Sequence, residues 1–148
     1  MSDAAPQPAA LPVGATLLGY AGLFPFVGGA AAVAWAGPVW QAQAASALGA
    51  YAALIVSFLG GIHWGLAFGQ PRPSAGLFAW GVTPSLLAWA AWLMPRPAGL
   101  ACLAGTLLLC LAVDRRVYPR LGLTRWLGLR LPLTLVAAGS CAVGAALA

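Results

Sequence analysis

The stretch Gly49-Ala-Tyr-Ala-Ala-Leu-Ile-Val-Ser-Phe-Leu-Gly-Gly-Ile-His-Trp-Gly-Leu-Ala-Phe-Gly69 decides how the rest of the chain is read. Every fourth position gives Gly49, Ala53, Ser57, Gly61, Gly65 and Gly69, a row of small residues running along one side of a helix. In water each glycine would weaken such a helix by roughly 1 kcal/mol relative to alanine. In lipid a smooth flank helps, because close van der Waals contact rather than hydrophobicity draws helices together. The spacing predicts a central transmembrane helix that packs through Ser57, Gly61, Gly65 and Gly69. The same stretch carries the single histidine of the chain, His63.

The surrounding composition agrees with a membrane solvent. Of 148 residues, 62% are hydrophobic and 6% charged, with a mean hydropathy of +0.91. A soluble domain carries about 25% charged residues, so this chain lacks the polar surface a globule needs. The charge of +5 comes from seven arginines set against Asp3 and Asp114. Five of the seven lie between Arg115 and Arg130, flanking apolar runs rather than forming a polar face. Anionic lipid headgroups and membrane topology explain that pattern better than nucleic acid, which we do not expect as a partner. Cys102, Cys110 and Cys141 sit inside apolar runs without a CxxC pair and read as packing residues.

The fold expected is therefore all-α: a polytopic bundle of about five transmembrane helices, over 11–36, 44–68, 74–94, 98–118 and 125–147, after a disordered tail over 1–10. Pro25 is expected to kink or break the first span, and in the third the hydroxyls of Thr83 and Ser85 could satisfy carbonyls that Pro84 frees. Pro119 should end the fourth, and Thr124 offers an N-cap for the fifth. With five spans, Arg72 and the five downstream arginines share one side and Arg96 faces the other. By the positive-inside rule the N-terminus is then cytoplasmic and the C-terminus periplasmic.

Three polar residues could carry chemistry. His63 lies about five residues from the end of its span, roughly 8 Å deep at 1.5 Å per residue. Ionisable groups within spans are costly and mark pathways, relays or ligands, although a neutral imidazole bonded to a neighbouring helix is the plainer reading. Asp114 closes the fourth span on the side where His63's span ends, so an Asp114–Arg130 or Asp114–His63 pair is geometrically possible. Arg115, Arg116 and Arg120 offer contacts to anionic lipid headgroups, with simple topology as the plainer reading. Ser57, Thr83, Ser85 and Thr134 could line a polar track. No nucleophile elbow, paired carboxylates or metal-binding signature occurs, so the sequence suggests neither catalytic residues nor a metal site, and no enzyme is expected. Any cofactor is left open.

Four segments, Leu18-Gly-Tyr-Ala-Gly-Leu-Phe-Pro-Phe26, Ser57-Phe-Leu-Gly-Gly-Ile-His-Trp-Gly65, Gly81-Val-Thr-Pro-Ser-Leu86 and Leu129-Arg-Leu-Pro-Leu-Thr134, resemble the membrane family called domain of unknown function 3429, which includes the transmembrane protein 69 group. The resemblance implies a bacterial inner membrane, or a mitochondrial one in eukaryotic relatives, and no assigned activity. The function expected is that of an accessory or assembly protein packing against a larger membrane complex. The alternative is a carrier or binding protein for a lipophilic molecule or ion, with a polar site around His63, Asp114 and Arg130.

Overall fold

The structure, a computed structural model, describes residues 10–148; the expected tail lies, apart from Ala10, outside the described residues. Among the described residues every regular element is helical: α1 (Val13–Ala21), α2 (Phe24–Trp35), α3 (Pro38–Phe68), α4 (Ala75–Trp92), α5 (Arg96–Val117) and α6 (Leu127–Leu147). Two 3₁₀ turns, Tyr118–Leu121 and Thr124–Trp126, join α5 to α6.

α1 and α2 form one interrupted span. Pro25 has no N–H to give the carbonyl of Ala21, and α1 stops there. Tyr51 of α3 donates its hydroxyl to the Gly22 carbonyl at 2.9 Å, meeting a backbone acceptor at the break. α3 starts six residues earlier than the sequence reading placed it, because Pro38 supplies a first helical position with its φ already fixed. Its 31 residues make a rod of about 46 Å, longer than the ~30 Å hydrocarbon layer. Four stretches are long and apolar enough to cross a membrane: Val13–Trp35, Pro38–Phe68, Arg96–Leu121 and Thr124–Leu147. α4 is the fifth rod but not one of these four. It has 18 residues, and Pro84, Thr83, Ser85 and three tryptophans dilute its aliphatic content.

α3 is the hub, touching α2, α4, α5 and α6. Its buried seam is Ala45, Leu48, Gly49, Ala52, Val56, Leu59, Gly60, His63 and Ala67. This corrects the expected packing ridge. Ser57 is half-buried, whereas Gly61, Gly65 and Gly69 are exposed, and open space surrounds Gly61 and Gly65 where a side chain would stand. The cause is the helical period: a row taken every fourth residue turns by about 40° per step, so a line starting inside at Gly49 has rotated outward by Gly61. The glycine that matters for packing is Gly60. A methyl group there would run into the carbonyl of Gly81 on α4, and one on Gly81 would meet the Trp64 ring. Trp64 in turn donates Nε1–H to the Phe78 carbonyl at 3.0 Å.

Two local expectations also change. Thr83 Oγ1 donates to the Ala79 carbonyl at 2.9 Å, not to the carbonyl of Trp80 that Pro84 leaves without its helical donor. Thr124 lies in a 3₁₀ turn and makes no capping bond; Trp126 is the residue preceding α6.

Candidate functional site

The polar centre sits where the last turns of α3 and α5 meet the first turns of α6. Asp114 follows from Cys110 and precedes Tyr118 at intervals of four, so the three share one face of α5 and its 3₁₀ extension, and all are buried. Arg130 and Thr134 have the same spacing on α6. His63 lies in the buried seam of α3, one turn before its last member, Ala67.

These elements bring His63, Asp114 and Arg130 together. Arg130 Nε donates to Asp114 Oδ2 at 2.8 Å, and Nη2 stands 2.7 Å from the same oxygen. His63 Nε2 lies 3.4 Å from the other carboxylate oxygen, Oδ1. His63 is 1% exposed and Asp114 2%, while the Arg130 side chain is 13% exposed. One carboxylate thus separates a guanidinium from an imidazole in a setting with almost no water. An unpaired arginine at a span centre costs about 3 kcal/mol, which the close ion pair offsets here.

His63 Nδ1 is 3.3 Å from the Leu59 carbonyl, so the ring lies between two acceptors, that carbonyl and the Asp114 carboxylate, and a neutral imidazole can donate to one of them only. Nε2 makes no hydrogen bond of good geometry among the described residues. Tyr118 and Trp80 flank the ring, with centroids 6.2 and 6.4 Å away. The sequence reading passed over both. Tyr118 was recoverable, being four residues beyond Asp114, but Trp80 lies on another helix and gave no local signal.

Two cavities meet at this cluster from different sides. The first, about 380 Å³, is a mostly apolar groove between α1, α2, α3, α5 and α6. Leu18, Phe26, Phe58 and Leu133 line it, and Arg130, Thr134 and Trp126 are the lining side chains that carry polar atoms. Leu18 and Phe58 are exposed, so the groove opens sideways from the bundle. Thr134 is 2% exposed, and its hydroxyl has no hydrogen-bond partner among the described residues. The second cavity, about 330 Å³, reaches His63 and Trp80 from the end of the bundle, past Gln70, Ser74 and Arg120. Asp114 lines neither and stands between them.

Of the remaining sequence candidates, Arg115 and Arg116 are exposed at the end of α5 and outside both cavities, and Arg120 is exposed at the second. Ser57, Gly61 and Gly65 lie elsewhere on α3, Gly69 just beyond its end, and none of the four joins either cavity. Among the described residues no three of His, Cys, Asp and Glu gather into a group able to hold a metal ion. Neither a curated protein nor a solved structure matches the chain. A family model does match, over residues 11–146, nearly the whole chain. The chain therefore belongs to the family described as Protein of unknown function (DUF3429).

Proposed function

We propose that this small integral membrane protein binds or carries a lipophilic molecule whose head accepts hydrogen bonds, without transforming it. The observation that carries this reading is the apolar groove ending at the buried Thr134 hydroxyl, which has no partner among the described residues, beside the Arg130 guanidinium that Asp114 holds from the other side. A buried donor left without an acceptor costs about 1–3 kcal/mol, and an acceptor entering from the groove relieves that cost. The apolar walls take the tail, as in other largely apolar pockets with a few convergent polar groups. In this reading α4 also crosses the bilayer, the arginine-rich end is cytoplasmic and the membrane is the bacterial inner one.

The test is binding of tritiated palmitic acid to the detergent-purified protein. Saturable binding that Leu133→Trp abolishes, by filling the groove, is the expected result. Binding that rises linearly with probe, or that ignores Leu133→Trp, contradicts the reading.

A second reading, an accessory protein of a larger membrane complex, draws on the open side of α3. A side chain added at Gly61 or Gly65 would meet nothing within 4 Å among the described residues. Small residues on an open face allow another helix to approach closely. Gentle solubilisation followed by identification of co-purifying proteins tests it: a reproducible partner lost in Gly61→Leu supports it, and a consistently solitary protein contradicts it. The exposed Arg115, Arg116 and Arg120 suit anionic headgroups of the surrounding bilayer in either case.

A further inference from the structure

The groove and the second cavity end on the two sides of one carboxylate, and this arrangement restricts which headgroup the groove can hold. Arg130 is already neutralised by Asp114, so a carboxylate brought to Arg130 and Thr134 would place two anions on one guanidinium. Such an excess of negative charge, removed from water, is strongly unfavourable unless a cation appears beside it. Among the described residues His63 is placed to supply that cation. Its ring lies between the Asp114 carboxylate and the Leu59 carbonyl, two acceptors that only the protonated imidazole can satisfy together, and it lines the cavity that leads to the end of the bundle.

The groups around His63 are few. On α5 and its extension they are Asp114 and Tyr118, with the exposed Arg120 at the cavity; α6 brings Arg130 to the far side of Asp114, and α4 brings the non-titrating Trp80. Resting on the binding reading above, we propose that the ligand is a lipophilic carboxylic acid, and that its anion binds together with one proton taken onto the His63 ring.

The balance is simple. The carboxylate settles against Arg130 and Thr134, and a proton passes from water at the Gln70–Arg120 end to the His63 ring. No carbon bond forms or breaks. The two anions, the ligand and Asp114, are then matched by two cations, Arg130 and the His63 imidazolium, whose two N–H groups face the Leu59 carbonyl and Asp114 Oδ1. The protein thereby takes in the neutral sum of the acid although the free ligand is an anion. An uncharged head, such as an alcohol, needs no proton.

Calorimetric titration in two buffers of different ionisation enthalpy counts the protons, with palmitate and hexadecanol as probes at a pH where free palmitate is the anion. About one proton taken up per palmitate bound, and none per hexadecanol, is expected. His63→Gln should bind palmitate roughly tenfold more weakly with no proton uptake, and hexadecanol unchanged. Palmitate binding without proton uptake by the wild-type protein overturns the proposal, as does uptake that persists in His63→Gln. Hexadecanol binding without palmitate binding overturns it too, while leaving the groove as a binding site. If neither probe binds, the binding reading falls with it. The wild-type measurement decides the question even if His63→Gln does not fold.

Discussion

Arg130 of α6 and Asp114 of α5 are held together at one carboxylate oxygen, with Nε at 2.8 Å and Nη2 at 2.7 Å from Oδ2. The pair joins the two helices close to the turns that link them, and it leaves Oδ1 for His63 on α3. Three helices that pack mainly through leucine, alanine and cysteine therefore share one charged joint.

Breaking that joint from one side should be severe. Asp114→Ala strands a mostly buried guanidinium and should destabilise the protein by about 3–5 kcal/mol, read from denaturant unfolding in mixed micelles by tryptophan fluorescence. Removing both charges, Asp114→Ala with Arg130→Leu, should recover most of that loss. A double variant as unstable as the sum of the two singles would mean that the pair contributes nothing by its pairing.

The α3–α4 crossing makes a contrasting prediction. Gly60→Ala drives a methyl into the backbone of Gly81, which cannot swing aside, and should cost about 1–3 kcal/mol. Gly61→Ala, one residue away, meets open space and should stay within about 0.5 kcal/mol of the wild type. Equal effects at the two positions would contradict the placement of the seam.

These glycines also show how far the sequence could be read. That a long, smooth helix lies at the centre followed from composition and spacing, because so many apolar and small residues have no other stable arrangement. Which side of it faces its neighbours did not follow. The row through Gly61 and Gly65 and the seam through Ala52, Val56 and Gly60 are both smooth, and only the positions of α2, α4, α5 and α6 distinguish them. The polar site divides similarly. Asp114 and Arg130 were conspicuous because charge is scarce, and their common end followed from counting spans. Their contact through one oxygen, and the groove beside Thr134, depend on helix rotation, which an amino-acid string does not express.

At the opposite end of the bundle, Gln41 of α3 donates from Nε2 to the Val33 carbonyl at 3.3 Å and the Leu147 carbonyl at 2.7 Å. It ties the ends of α2 and α6, where backbone acceptors run out. Gln41→Leu should cost about 1 kcal/mol and speed amide hydrogen exchange in the last turn of α6. Unchanged exchange there would show that the tie is dispensable.

Trp64 offers a test of a single hydrogen bond. Trp64→Phe keeps an aromatic ring against Phe78 but removes the donor to the Phe78 carbonyl, and should cost about 1 kcal/mol. Trp64→Ala should cost clearly more, since the ring also covers Gly81. Unfolding midpoints of the two variants in the same micelles make the comparison.

The central claim is that a lipophilic acid lies in the groove with its head at Arg130 and Thr134. It is tested most directly by photolabelling the protein in liposomes with a palmitic acid carrying a diazirine on its chain, followed by peptide mass spectrometry. The account predicts adducts concentrated on groove residues such as Leu18, Phe26, Phe58 and Leu133, displaced by excess unlabelled palmitate. Adducts spread evenly over outward-facing residues such as Leu54 and Trp89, undiminished by the competitor, would contradict it.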